Sequence, residues 1–382
     1  MLNVKRQIAA KLEASEGVAE TLASADAKIL GFDPKIVFDP DRLPQTASPS
    51  SLSKRAKVTG SIPASLTADI EVRGSGAVGT APEWAKFLKV CGLVESTLKS
   101  ITIGAITGGP FKHGETITGG TSSATGRVVI ETATGTTTLY YVAISGTFQS
   151  GEVITGGTSA ATATTGGTPA TAGLEYKLTS VLSSVPSLTG GTYEDGFSKK
   201  IRGARGNCVF NFKAGKTVRM GYSLRGVKES AADLAMLSGI VHETTIAPIF
   251  QNASLVIGSY AAKVGEITID IGNKLAADED VNAAMGIRCF LIGDREPVGK
   301  INPRMVLAAT NDFYGHWFGD AEKKLDFILG SAGGNKFRFY LPKIQYDKID
   351  DAERDGIALT DISFTLNQNN EAGDDELTIL AL

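Results

Sequence analysis

Strict alternation of apolar and polar positions is the dominant pattern along the chain. In "KVTGSIPASLTADIEVRG", Ala68, Ile70 and Val72 alternate with Asp69, Glu71 and Arg73, the period of a half-buried strand. Val218, Met220, Tyr222 and Leu224 alternate in the same way, and Val209 and Phe212 mark a second pleated segment just upstream. "AKILGFDPKIVFDPDRL" is a strand-like run punctuated by Pro34 and Pro40. Helical spacing is confined to short stretches. "MLNVKRQIAAKLEASEGVAETL" reads as an amphipathic helix, and "LEYKLTSVL" is helix-capable. "TAPEWAKFLKVCGL" predicts a short helix with Thr80 as N-cap, Pro82 in the first turn, Trp84, Phe87, Leu88 and Cys91 on one face and Gly92 as its stop. The whole predicts a mainly β fold with short flanking helices.

From about residue 101 to 173 the texture changes to Thr, Gly, Ala and Ser, and one phrase occurs twice. "FKHGETITGGTSSATG" at residues 111–126 returns as "FQSGEVITGGTSAATA" at residues 148–163. Each copy predicts a strand followed by a tight Gly-Gly turn. Two more β-branched segments, "GRVVIETATG" and "TTTLYYVAISG", lie between them. The region therefore predicts a small β-module of two similar hairpin units around one core. It interrupts a first domain, residues 1–100 and 174–245, at an exposed loop. A second domain, residues 246–382, repeats the order of the first: "EITIDIGNKL" echoes "KIVFDPDRL", "NDFYGHWFGDAEKKL" stands where "PEWAKFL" stood, "GGNKFRFYL" echoes "RGNCVFNFK", and "DGIALTDISFTL" echoes "VRMGYSLRGV".

Composition narrows the function classes. The 382 residues are 42% hydrophobic and 21% charged, with a net charge of -3, which suits a soluble folded chain and not a surface built to grip phosphates. No apolar run reaches the roughly 18 residues of a membrane span, and the N-terminus lacks a signal peptide's apolar core. Cys91, Cys208 and Cys289 have no CxxC spacing and read as buried thiols made in a reducing compartment. His113, His242 and His316 are scattered, and HExxH, GxSxG and GxxxxGK[ST] are all missing. No enzyme, cofactor or metal is expected. "EAGDDEL" reads as a solvated turn before a final strand of Leu377, Ile379 and Ala381; "AADEDVNAAMG" also reads as solvated, and "RGSGAVG" and "RGARGN" as turns.

Residues 57–93, with "RGSG", "PEW" and "CGL" in that order, resemble the strand, turn and helix segment of the major tail-tube proteins of long-tailed (siphovirus-type) bacteriophages. The resemblance continues in "GARGNCVFNFKAGKTVRMGYSLRGV", "IGSYAAKVGEITIDIGNKL", "DREPVGKINP" and "GDDELTI". It implies a tail-tube β-sandwich or barrel fold, here duplicated in tandem, whose subunits form stacked rings around a channel for the genome. The implied partners are the chain itself, tail terminator and tail-tip proteins, and the tape-measure protein and genomic DNA inside the lumen without specific binding, with no membrane. The implied location is the virion tail, after synthesis in the host bacterial cytoplasm. A duplicated fold gives three subunits per ring, and a single elaborated fold gives six. The Pro/Ser-rich "LPQTASPSSLSKR" becomes the candidate inter-ring arm, through Leu43, Pro44, Ser48, Pro49 and Ser50; Asp69 and Glu71 become candidate lumen-facing acids. Two rival functions remain: a surface-displayed adhesin or carbohydrate-binding β-protein worked by the Thr/Gly module, and a virion hydrolase, for which no nucleophile, base and orienter are found.

Overall fold

A computed structural model describes residues 5–46, 53–133 and 135–382, and the chain is mainly β. The first part holds β1 (Arg6–Leu12), β2 (Gly31–Phe38), the short β3 (Arg42–Leu43) and β4 (Val58–Thr59), and β5 (Pro63–Glu71). Helix α1 (Ala85–Val90) and β6 (Leu93–Thr102) follow. The Thr/Gly region carries β7 (Thr116–Gly119), β8 (Thr125–Val128), β9 (Thr138–Ser145), β10 (Val153–Gly156) and β11 (Thr162–Thr164). The chain returns through β12 (Ala170–Leu178), β13 (Leu188–Glu194) and the long hairpin of β14 (Phe197–Lys213) and β15 (Arg219–Asp233). The remainder comprises β16 (Val256–Ile257), β17 (Val264–Asp270), β18 (Asn273–Glu279), β19 (Ile287–Arg295), β20 (Val298–Pro303), α2 (Phe313–Phe318), β21 (Lys323–Leu329), β22 (Phe337–Arg354), β23 (Ile357–Leu366) and β24 (Thr378–Ala381).

Two runs of strands pair in the same order. β2 pairs with β5, β5 with β15, β15 with β14, and β14 with β13. Likewise β17 pairs with β20, β20 with β23, β23 with β22, and β22 with β21. A separate two-stranded element joins the first pair in each run: β3–β4 in one, β18–β19 in the other. A short helix follows the second strand in each. The runs meet where Val209 to Lys213 of β14 pair with Asp270 to Glu266 of β17. One antiparallel sheet results, in the order β2-β5-β15-β14-β17-β20-β23-β22.

One face of this sheet is apolar, and its side chains share a single core. Leu66, Ile70, Met220, Leu224, Phe210, Phe212, Ile267, Ile269, Ile301 and Phe364 are all buried in it. A second layer packs against them, made by α1, β12, β24, β21 and the start of β22. Phe87 of α1 stacks on Tyr222 at 4.2 Å, and Trp84 packs against Phe337 and donates from Nε1 to the Arg73 carbonyl at 2.7 Å. Phe212 touches the rings of Phe210, Phe250, Phe327 and Phe339, so both runs contribute to one aromatic cluster.

The Thr/Gly region extends the second layer strand by strand, in the order β24-β12-β6-β9-β8-β7-β10-β11. It has its own core, in which the two phenylalanines of the repeated phrase, Phe111 and Phe148, are buried with Ile117 and Ile154. The repeat has a reciprocal logic. Glu152 of the second copy accepts from Thr121 N, Ser122 N and Ser122 Oγ in the turn of the first copy. Glu115 of the first copy accepts from Thr158 N, Ser159 N and Ser159 Oγ in the turn of the second. Antiparallel pairing of β7 with β10 places each glutamate beside the other copy's turn. The region is also fixed to the body by an Arg127–Glu175 ion pair and by the His113 ring, 5.0 Å from Tyr340.

Several sequence expectations are corrected. Residues 6–12 form a strand, not a helix, because Ile8, Ala9 and Ala10 are buried in succession and have no solvent-facing side. "LEYKL" lies in β12, where Glu175 is buried by its pairing with Arg127. Helix α1 starts at Ala85 with no side-chain cap, later than a Thr80 cap requires. Val209 faces away from the core that takes Phe210 and Phe212. "RGARGN" is a bulge inside β14, with Gly203 at φ 60°, rather than a turn. Asp375 in "EAGDDEL" is buried, accepting from Asn369 N and Asn370 N, rather than solvated. In β24, Thr378, Ile379 and Leu380 are all buried between β12 and β22, so the expected alternation is lost.

Candidate assembly surface

The other face of the eight-stranded sheet is polar and continuous. A single line of paired residues crosses it: Phe32, Asp69, Gly221, Val209, Asp270, Val298, Thr365 and Gln345. Beside it run Glu71, Arg219, Asn211, Thr268, Lys300 and Ser363. The first line carries the acids Asp69 and Asp270, the second carries Glu71 with Arg219 and Lys300, and several of these side chains are tied down. Glu71 bonds Arg73 at 2.6 Å and Thr217 at 3.0 Å, the Arg219 guanidinium sits 4.2 Å over the Phe32 ring, and Asp270 accepts from Asn207 at 2.6 Å. Two shallow troughs mark the face. One, of about 310 Å³, is lined by Phe32, Thr67, Asp69, Asn207 and Ser223; the other, of about 270 Å³, by Glu266, Lys300, Asn302, Asp350 and Asp361.

Asp69 and Glu71 therefore lie together on this polar face, as exposed and half-buried residues respectively. Leu43 is 48% exposed in β3, directly opposite Val58 of β4, and Pro44 follows it in the open. Ser48, Pro49 and Ser50 lie outside the described residues. The three histidines remain apart. His113 Nδ1 donates to the Val129 carbonyl at 2.6 Å while burial pushes its pKa down, so its ring is neutral at pH 7. Cys91, Cys208 and Cys289 are all buried, and burial pushes the Cys289 thiol up to about 11. Among the described residues no cluster of His, Cys, Asp and Glu could hold a metal ion, and no helix is long and apolar enough to cross a membrane.

Sequence reading missed the two lateral edges of the sheet. Among the described residues β2 pairs only with β5, and beyond Ile344, where its pairing with β21 stops, β22 pairs only with β23. Apolar side chains flank both margins. Leu30, Phe32 and Val37 are exposed at β2; Leu307, in the loop that leads into α2, and Phe318 of α2 are exposed by 79% and 75%. α2 holds the latter group in place through a Phe313–Tyr346 ring contact and a 2.6 Å bond from Tyr314 Oη to Asp351. A signal was present: "FYGHWF" has four aromatic residues in six positions, more than one face of so short a helix can bury.

No protein-family model matches the chain, and no curated protein is significantly similar to it.

Proposed function

We propose that this protein is a structural subunit of a long-tailed phage tail tube, self-assembling into stacked rings around a channel for the genome. One observation carries the reading: an eight-stranded sheet with a polar face, an apolar face and two open lateral edges. Open, apolar-flanked edges are hazards in a monomer but ready joints in a closed ring. The matching pairing order of the two runs supports a tandem duplication, so three chains supply six tube folds and twenty-four strands. At the usual strand spacing those strands form a ring about 37 Å across before tilt widens it, enough for a DNA duplex with side chains in place. Interspersed and paired charges on the polar face suit a wall that must not hold phosphates. Imaging the purified protein at high concentration tests the reading. Hollow rods with three-fold end views are expected; a chain that stays monomeric at every concentration overturns it.

The Thr/Gly region then sits on the sandwich layer away from the polar face, as a decoration of the outside. Ser100 of β6 stands opposite Ala170 of β12, and Ile103 bridges Thr165, so the chain leaves and re-enters at adjacent points. Replacing residues 104–164 with a short glycine turn should leave a β6–β12 hairpin and a body that still forms rods. Loss of rods from a folded variant would assign the region to the assembly; intact rods with lost attachment to cells would favour the adhesin role for it.

A further inference from the structure

The Thr/Gly region is a closed unit that rests on the body at one corner. Bridges Ile103↔Thr165 and Thr107↔Thr162 join the continuation of β6 to β11 and complete a small barrel. It leaves the body through the β6–β12 ladder, and a small apolar core around Leu98, Val129, Ile130 and Leu380 lies at its base. The corner itself is Phe111 to Glu115 of the first copy of the repeated phrase. Asn369 and Asn370 of the body donate from Nδ2 to the His113 carbonyl at 3.5 and 3.4 Å, and the His113 ring lies 5.0 Å from that of Tyr340 in β22. A Cβ at Gly114 would collide with Asn370 Nδ2, so the backbone itself touches the body. The second copy is an internal reference for this corner. At its matching positions Ser150 replaces His113 and Thr164 replaces Arg127, both exposed, and a Cβ at Gly151 would meet nothing within 4 Å. The barrel's own fold therefore needs neither the imidazole nor the guanidinium. Both belong to the contact with the body, where Arg127 pairs with Glu175 of β12.

His113 is 4% exposed, and only one of its ring nitrogens is satisfied. Nδ1 donates to the Val129 carbonyl at 2.6 Å, whereas Nε2 is buried with no hydrogen-bond partner among the described residues. A neutral ring suits this setting, because Nε2 then carries only a lone pair. Protonation adds a second N–H with no acceptor and a charge shut away from water. The charged groups around the ring are already committed. Asp375, just before β24, accepts from Asn369 N, Asn370 N and Asn370 Nδ2 at 2.8, 3.0 and 2.8 Å. Glu175 is neutralised by Arg127, Lys112 by Glu131, and Arg338 by Asp326. Glu115 is turned to the other copy's turn, and burial keeps Tyr340 a neutral phenol. Burial is the largest influence on His113 and lowers its pKa; Arg127 acts with it, while the Val129 carbonyl, Asp375 and Glu175 oppose it without prevailing. We propose that this corner is an acid-sensitive latch: proton binding at His113 releases Phe111 to Glu115 from the body, and the barrel pivots on the β6–β12 ladder. The released ring has the ordinary pKa of about 6.5, so the released form binds more protons than the docked one. The latch therefore holds fully above about pH 6.5 and loosens as pH falls from there toward the lower value of the docked ring. Assembly into rings plays no part, so a monomer shows the same behaviour.

Spin labels test the latch. Ser150→Cys on the barrel and Ser183→Cys on the body, made in the full chain, are both exposed, and the native thiols are buried and should stay silent. Above pH 7 a single distance between the labels is expected. From pH 7 to pH 5 a second population should appear, its ratio to the first rising by up to about tenfold per pH unit, the limit for one proton. Protection of the Thr121 and Ser122 amides should stay constant over that range, because the Glu152 carboxyl that holds them titrates lower. His113→Gln, and His113→Ser with the residue type of the second copy, both remove the titrating ring. In each, the two populations should keep a fixed ratio from pH 7 to pH 5, whatever that ratio is. A single distance at every pH overturns the latch, and is the result if Glu175 Oε1, buried without a partner, takes up the new N–H. A pH response that survives both substitutions overturns it too, as does one in which Thr121 and Ser122 lose protection in step with the distance.

Discussion

Phe212→Ala is expected to lower the stability of the whole body by about 3–5 kcal/mol, seen as a shift of a single denaturant transition to lower midpoint. Phe212 is fully buried, and its ring lies 4.8 to 5.4 Å from those of Phe339, Phe327 and Phe250. It also sits in the in-chain joint, directly opposite Ile267. Truncation removes ring contacts that no neighbour can replace, because Phe327 and Phe339 are already stacked on each other at 5.3 Å and held by the β21–β22 ladder. The aromatic cluster contains residues from both runs, so the loss should be felt by both at once. A biphasic unfolding curve, with one phase unmoved, would mean that the runs have separate cores and that the shared cluster is not what unites them. Phe212→Leu keeps most of the apolar volume and should cost clearly less.

Much of the fold was legible because exposed and buried faces alternate wherever a strand has solvent on one side. Asp69 and Glu71 against Ala68, Ile70 and Val72, and the Met220, Tyr222 and Leu224 set, follow the rule directly. Legibility fails where a strand is buried on both faces. Ile8, Ala9 and Ala10 in β1 and Leu174, Glu175 and Tyr176 in β12 have no polar face to report, and a continuous buried run carries no period that separates strand from helix. Glu175 adds a further difficulty, since its burial depends on an arginine 48 positions away. The polar face could be sketched from sequence, but its open edges could not, because an edge is a statement about which partner is missing. The aromatic density of α2, which leaves Phe318 exposed, was the one local clue, and it acquires meaning only beside the margin of β22.

The repeated phrase yields the second large effect. Glu152 is 4% exposed, and its carboxylate takes donors from Thr121 N at 3.2 Å, Ser122 N at 2.9 Å and Gln149 N at 2.5 Å, with the Ser122 hydroxyl as a further donor. Glu152→Ala takes the acceptor from these part-buried donors and should destabilise the Thr/Gly region by about 1–3 kcal/mol, read as faster amide exchange at Thr121 and Ser122 with the body unaffected. The distant turn is the decisive readout: a purely local role would loosen the strand around Glu152 and leave the other copy's turn protected. Acid should mimic the substitution. Burial pushes the Glu152 carboxyl up, but the donors from Ser122, Gln149 and Thr121 outweigh it and hold its pKa below the ordinary value. A group depressed in the folded state stabilises fully above its unfolded pKa, about 4.3, and loses that contribution as pH falls through the folded value. Protection at Thr121 and Ser122 should therefore be flat from neutral pH down to about pH 5 and decline below it. In Glu152→Gln, which keeps an acceptor but cannot ionise, protection should start lower and the share of the decline due to this group should vanish. Glu115 holds the opposite turn by the same geometry, so Glu115→Ala should release Thr158 and Ser159 instead. If each alanine variant loosened only its own copy's turn, the crossed clamp would be refuted and the duplication of the phrase would need another physical cause.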